Sequence, residues 1–591
     1  MSKNQFWSTK SSASDFDTTL QADVLVIGGG PAGTWAAWSA ATQGASVVLV
    51  DKGYCGTSGC AAATGGRIWY LPPDPELREA EMASREAWGG FLANRDWMLR
   101  VFDQTYTNIN LLAEWGYPFP TDEEGKSYRR SIQGPEYMRL MRKQVKRAGV
   151  RILDNCPALE LLVDSEGAVG GAAGVNRQSG EKWVVRSLAV VIATGGCAFL
   201  SKALGCNVLT GDGYLMAAEA GAEMSGMEFS NAYGIAPAHS SVTKALLFNW
   251  ATFTYEDGTP IPGADCLPQG GRSIIARTLL NQPVYAILDK VRADMRSAMR
   301  SMQPNFFLPL DRAGIDPFTQ RFPVTLRLEG TVRGTAGIRI VDDTCATSVP
   351  GLYAAGDAAT RELICGGLTG GGSPNNAWAT SSGHWSGKYA ALYARSLGHK
   401  GNQRHLEGVG EAGLKPRSDS AHTLATDEVI QAVQNEVLPY DRNYFRTERG
   451  LSQSLDRLHS LWQEIHDSQV VAGKQLVKAR EVAAMVATAR WMYSSALERK
   501  ETRGMHEYID YPQLDPGQQH YLISGGLDKV WVKAQPLDTV GEKHFSAAVP
   551  PAQKQLVAIA SKISQSQIDP LAGGTIQSLG GNPKFQIGGV L

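Results

Sequence analysis

One stretch constrains the fold more than any other. Residues 22–28 (ADVLVIG) form an apolar, β-branched run of strand length. Gly28-Gly29-Gly30-Pro31-Ala32-Gly33 follows, then an alanine-rich helical pattern (TWAAWSAATQGA), then a second strand (SVVLVDK) that reaches Asp51. Strand, glycine turn, helix, strand and acid together are the context in which a G-x-G-x-x-G stretch grips a dinucleotide, with the acid about 20 residues on. Gly28 permits the tight turn, Gly30 lets backbone amides approach a pyrophosphate, and Gly33 lets the helix pack close to the sheet. The helix N-terminus then faces phosphate charge, and Asp51 accepts hydrogen bonds from ribose hydroxyls.

The rest of the chain agrees with a large globular protein. Its 591 residues suffice for several domains. Glycine, 64 of the 591 residues, falls in clusters that read as phosphate-gripping turns. The net charge of −1 argues against a nucleic-acid partner. The basic helix face at Arg139, Arg142, Lys143, Lys146 and Arg147 reads as solvated, since no aromatic residues interleave it. No apolar run opens the chain and none is long enough for a membrane span, which predicts a cytoplasmic protein. The eight cysteines are scattered without a C-x-x-C pair, which predicts no structural zinc and no iron–sulfur cluster on this chain alone.

Further along, residues 75–115 read as helices and 136–149 as a helix before the strand VRILDN. Residues 158–193 read as a β-meander that ends in Ala193-Thr194-Gly195-Gly196, and Thr210-Gly211-Asp212-Gly213 follows. Residues 226–334 are irregular, with one helix around RSIIARTLL, and read as an insertion. SVPGLYAAGDAAT and the loop GGLTGGGSPNNAW lead into another helix, 425–500 is almost continuously helical, and 526–591 is weakly patterned.

These separated motifs occur in one order: GGGPAG, a small-residue loop after Lys52, ATGG, TGDG, MEF, GLYAAGD and RKETRGMHEYIDYP. Over about residues 20–520 the chain resembles the succinate dehydrogenase/fumarate reductase flavoprotein family, which includes L-aspartate oxidase and the flavin subunit of adenylylsulfate reductase. The resemblance implies an α/β fold: a bipartite Rossmann-like FAD-binding domain, an inserted capping domain and a C-terminal helical domain. The corresponding division is an N-terminal tail (1–20), FAD-binding parts (21–225 and 335–410), a capping domain (226–334), a helical domain (411–525) and an extension (526–591).

The resemblance also implies an FAD site. Gly28, Gly30, Pro31, Ala32 and Gly33 would hold the pyrophosphate and Asp51 the adenosine ribose. Lys52, Thr57, Ser58, Gly65 and Gly66 would line the cofactor's middle, with Ala158 beside adenine. Ala193, Thr194, Gly195 and Asp212 would flank the nucleotide, and Gly356 and Asp357 the ribityl or phosphate region. Ser373, Asn375 and Asn376 would open a helix pointing at the flavin ring.

The departures bear on function. Relatives that attach FAD do so through the histidine of S-H-[ST], and here the stretch is Ser58-Gly59-Cys60, which predicts non-covalent FAD. Where the family grips substrate carboxylates with two histidines and an arginine, this chain has Tyr233, Val332 and Thr369. A site for plain succinate or fumarate would lack its donors. Arg333 and Arg361 stand at neighbouring positions as compensating cations, and Tyr233 is a further catalytic candidate. The family's proton-shuttling arginine (R-D-V-V-A-R) is matched by Arg272-Ser273-Ile274-Ile275-Ala276-Arg277, with Ser273 for aspartate. The late motif with Arg503, His506 and Asp510 would dock the helical domain.

Three functions follow. The first is an oxidoreductase moving a hydride between flavin N5 and a C–C or C–N bond of a small organic substrate. The second is the flavin subunit of an electron-transfer complex with an iron–sulfur protein or ferredoxin. The third is a flavin-bound scaffold without turnover. A homo-oligomer is compatible with each.

Overall fold

The computed structural model describes residues 16–537 apart from 122–124, 126, 244, 266–269, 370–372, 402, 416–422 and 470–473. Most of the N-terminal tail, the C-terminal extension from residue 538 and the three glycines of the 370–372 loop therefore lie outside the described residues.

The elements that build the site are β1 (Val24–Ile27), α1 (Pro31–Thr42), β2 (Val47–Val50), β3 (Arg151–Leu153), β4 (Ala189–Ile192), α2 (Gly271–Leu279), β5 (Leu352–Ala354) and α3 (Ser373–Gly401). The five strands form one parallel sheet in the order β5-β4-β1-β2-β3. Every residue of β1, β2 and β4 is buried, as expected of parallel strands covered on both faces. The chain runs from β1 to β2 and β3 on one side, then returns to β4 and β5 on the other. This reversal opens a crevice at the carboxyl ends of the strands. The small residues of α1 let α3 come close: a Cβ at Gly383 would lie 2.4 Å from the Ala32 carbonyl oxygen, and one at Gly387 2.1 Å from that of Ala36.

The expected meander is a second sheet, Ala158–Val163, Val169–Val175 and Lys182–Arg186, extended by Thr18–Gln21 and Glu407–Gly408 at its edges. The irregular stretch 226–334 contains α2 and an antiparallel sheet of Ala232–Pro237, Phe322–Gly330, Val284–Ile287 and Thr252–Thr254. The helical stretch is Thr426–Val437, Glu448–Asp467 and Lys474–Glu498, interrupted by a π turn at Tyr440–Tyr444 and the strand Phe445–Arg446. Residues 526–536 are more ordered than their pattern predicts. Trp531–Pro536 pairs with His520–Gly525 as an edge strand, and its mostly exposed side chains give no apolar alternation to read.

The late motif docks these parts together. Arg499 donates to Glu228 Oε1 at 2.7 Å and to Glu501 Oε1 at 2.9 Å, and Arg503 donates to Glu501 Oε2 at 2.9 Å, all buried. His506 Nδ1 accepts from Arg446 at 2.6 Å while Nε2 donates to the Arg499 carbonyl at 3.0 Å. Burial and the adjacent arginines hold its imidazole well below the usual pKa, so it is a neutral structural link. Asp510 accepts from the Glu448 amide at 2.6 Å, at the start of a helix.

Candidate active site

A cavity of about 790 Å³ fills the crevice. It runs from Ala158 and Asp212, past the β1–α1 turn and the Ser58–Arg67 loop, to α2 and the sheet of the 226–334 segment.

The β1–α1 turn is shaped for a ligand. Gly28 has φ +108, and a Cβ there would lie 2.3 Å from the Ala193 carbonyl oxygen, so only glycine fits. A Cβ at Gly30 would meet nothing within 4 Å, because its open side is the cavity. No side chain caps α1, which leaves the first amides of the helix for an anion. Pro31 and Ala32 line the same wall. Gly33 does not; a Cβ there would stand 1.7 Å from the Gly28 carbonyl oxygen, so its part is close packing of helix on turn. Asp51 accepts from the amides of Gly29 and Gly53, each at 2.7 Å, with the Ser58 hydroxyl a further donor to the same carboxylate. Burial raises its pKa against those donors.

The other expected FAD residues divide. Ser58, Gly65, Gly66, Ala158, Ala193, Thr194, Gly195, Asp212, Gly356, Asp357, Ser373, Asn375 and Asn376 all reach the cavity wall. Asn376 Nδ2 donates to the Arg67 carbonyl at 2.8 Å, and Asn375 Oδ1 is buried without a partner among the described residues, an acceptor left over at the head of α3. Lys52 also lines the wall, but its ammonium is taken by Asp212 at 2.6 Å and by Thr210 and Glu481 at 2.8 Å. Those acids raise its pKa against burial. Thr57 corrects the expectation. It is exposed on the outside of the turn, its amide donating to the Tyr54 carbonyl at 2.9 Å, and it stays off the cavity.

The loop without the family histidine is open. Gly59 has φ +81 and nothing within 4 Å of a Cβ position, and no histidine is among the described wall residues. Cys60 lines the wall, but burial, helped by Asp357, pushes its thiol up to about 12 and keeps it neutral and poorly nucleophilic.

The expected substrate residues are rearranged. Tyr233 lines the cavity, but its hydroxyl is 3.1 Å from the carbonyls of both Val437 and Leu438, and its ring packs on Tyr440 and Tyr444. Its one hydrogen is engaged away from the cavity, which removes it as a catalytic group. Val332 is 3% exposed and packs with Ala198, Ala203, Cys206 and Leu209, presenting an apolar wall. Thr369 donates to the Arg333 carbonyl at 3.1 Å. Arg361 is a correction. It is 0% exposed and off the wall, donating to Asp357 and to the carbonyls of Thr331 at 2.9 Å, Val332 at 3.1 Å and Gly334. It braces the turn behind the site. Arg333 does face the cavity, 3.6 Å from Glu329, whose charge raises its pKa.

Arg272 heads α2 at the cavity. Its Nε is buried without a hydrogen-bond partner among the described residues. The charge pattern had not singled out Glu329 or Glu507, both of which line the wall. Lone acids carry no local signal, and only tertiary folding brings them here.

Residues 23–233 match the FAD binding domain model, and residues 435–551 match the fumarate reductase flavoprotein C-terminal model. The chain belongs to the succinate dehydrogenase/fumarate reductase flavoprotein family. L-Aspartate oxidase of Streptomyces coelicolor is 27% identical, over 84% of this chain and 90% of that protein. The fumarate reductase flavoprotein subunit of Mycobacterium tuberculosis is 24% identical, over 85% and 94%. Among solved structures, E. coli quinol fumarate reductase superposes with TM-score 0.75 at 20% identity, over 91% of this chain and 99% of that one. Adenylylsulfate reductase from Archaeoglobus fulgidus gives 0.71 at 20%, over 91% and 98%. This flavoprotein is an FAD-dependent oxidoreductase. The glycine cradle, the uncapped α1 and the leftover acceptor at Asn375 fit that cofactor. No helix among the described residues is long and apolar enough to cross a membrane, and no three metal-ligating side chains are gathered there.

Proposed function

We propose that the protein exchanges a hydride between non-covalently held FAD and a C–C or C–N bond of a small organic acid that is bulkier or less anionic than succinate, fumarate or aspartate. The observation that carries this reading is Arg272, a cation in the cavity wall whose buried Nε has no partner among the described residues, beside a site in which the positions of the family's carboxylate grips are held by Tyr233, Val332 and Thr369. Arg272 suits an anionic group, Arg333 in the same wall is balanced by Glu329 at 3.6 Å, and the Val332 wall suits an apolar body.

When bound, FAD supplies two-electron chemistry at N5. The β1–α1 turn would hold its pyrophosphate, Asp51 its ribose and the head of α3 its ring. Arg272 orients the anionic group and opposes negative charge that develops on the substrate. The domain division at 226 and 335 is part of this proposal; it puts α2 and Arg333 on the capping side and the glycine cradle on the other.

Anaerobic mixing of the flavin-loaded protein with succinate, L-aspartate and aryl or amide derivatives of C4 acids tests the reading. Bleaching of the flavin by the derivatives, and not by the parent acids, is expected. Equal bleaching by succinate or aspartate contradicts it.

A second reading, a flavin subunit that hands electrons to an iron–sulfur protein or ferredoxin, rests on the described residues offering no cluster ligands of their own. Co-purification of such a protein supports it, and turnover by the isolated chain contradicts it.

A further inference from the structure

The proposed reaction has a proton to place. A substrate oxidised at a C–C or C–N bond loses two hydrogens, one with its bonding electron pair to FAD and one as a proton. An arginine holds its own proton at neutral pH and needs a relay to pass one on, and beside Arg272 the family pattern's aspartate is replaced by Ser273.

A carboxyl stands in the same wall. The strand Glu507–Tyr508 pairs in parallel with Phe445–Arg446, Glu507 opposite Phe445, which holds Glu507 close to Tyr444. Ser273, next to Arg272 on the first turn of α2, donates its hydroxyl hydrogen to Glu507 Oε1 and lies 3.1 Å from the Tyr444 hydroxyl. Ser273 has one hydrogen and gives it to Glu507, so Tyr444 is the donor to Ser273 Oγ. Glu507, Ser273, Tyr444 and Arg272 all line the cavity. Ser273 stands where the family pattern has an aspartate, and Glu507 brings a carboxyl to its side from a distant part of the chain.

We propose that Glu507 is the general acid and base of this site, with Ser273 and Tyr444 as its hydrogen-bonded relay. The proposal rests on the oxidoreductase reading above. In the oxidising direction the Glu507 carboxylate takes the substrate proton. The product has then lost two hydrogens and two electrons, and Glu507 carries the proton until water removes it. In the reducing direction the carboxylic acid returns it. The groups facing Glu507 are Ser273 and Arg277 from α2, with Arg277 Nη2 at 3.7 Å from Oε2, and Tyr444 from the π turn, on which Arg272 acts in turn. Next to it in the chain, burial and Arg446 hold the His506 imidazole well below its usual pKa. Burial raises the Glu507 pKa, while Ser273 and Arg277 lower it; the net shift is upward, the direction a base working near neutral pH requires. Burial likewise pushes the Tyr444 hydroxyl up to about 12, so it serves as a neutral donor.

The test uses flavin-loaded wild type, E507Q and E507D, each first shown to hold FAD in the wild-type ratio. A pH-difference infrared spectrum reads the carboxyl without any substrate. A protonated-carboxyl band titrating above the ordinary glutamate range, lost in E507Q and kept in E507D, is expected. With the acid that bleaches the flavin in the screen above, E507Q is expected to lose about 100-fold or more in kcat at a KM within a few-fold. The rise of the oxidation rate with pH should disappear in E507Q and return, shifted, in E507D. Absence of the band, or an E507Q enzyme with wild-type kcat and pH profile, overturns the role of Glu507 and leaves the oxidoreductase reading standing. Flavin that no organic acid bleaches overturns both, with the infrared band then surviving only as a property of the fold.

Discussion

Replacing Gly30 with valine is expected to give a folded protein that holds no flavin. A Cβ at Gly30 meets no protein atom within 4 Å, so the apo fold tolerates the side chain. The space it enters is the one through which the uncapped amides of α1 would reach a pyrophosphate. Filling it should weaken FAD binding by more than 100-fold, about 2.8 kcal/mol or more. Gly33→Val is the contrasting case. Its Cβ would start 1.7 Å from the Gly28 carbonyl oxygen, so helix and turn must separate, and the loss should exceed about 4 kcal/mol of stability. Flavin stoichiometry and thermal unfolding by circular dichroism separate the two. A yellow G30V protein, or a G33V protein as stable as wild type, contradicts the placement of the cofactor.

The second large effect is at Arg272. Arg272→Ala should keep flavin content and fold, since its Nε has no hydrogen-bond partner among the described residues, and lower kcat/KM for the organic acid by about 100- to 1000-fold. Arg272→Lys should recover part of the loss, because lysine restores charge without the forked geometry. The measurement is the rate of flavin bleaching against acid concentration for each variant. An alanine variant that bleaches at the wild-type rate would remove Arg272 from the site.

How far the sequence could be read depended on how local each signal was. The β1–α1 turn was the most legible part, because strand, glycines, helix and acid sit within one stretch; Gly28 and Gly33 answer steric demands of their neighbours, Gly30 leaves open space, and only Gly33 stands off the cavity where the pyrophosphate was expected. Glycine and asparagine positions in distant loops also reached the cavity, since motif order carries the topology with it. Side chains that depend on what they meet in space were read less well. Tyr233 turns its hydroxyl to Val437 and Leu438, carbonyls some two hundred residues away, and Arg361 is drawn inward by Asp357 and three backbone carbonyls. Thr57 differs from its neighbour Ser58 only in the side of a tight turn it occupies. Glu507 lies within the docking motif, and nothing in that motif separates an acid that faces solvent from one that faces Ser273.

On the proposed reading this chain holds FAD in the cavity between the β1–α1 turn and α2 without a covalent bond. An absorption spectrum of the purified protein, repeated on the supernatant after acid precipitation, tests it most directly. Flavin bands are expected to move wholly into the supernatant, in keeping with the open Gly59 position and a Cys60 thiol pushed up by burial. Flavin retained in the pellet would contradict the non-covalent site, with Cys60 the first position to map. A colourless protein that FAD cannot reconstitute would contradict the account as a whole.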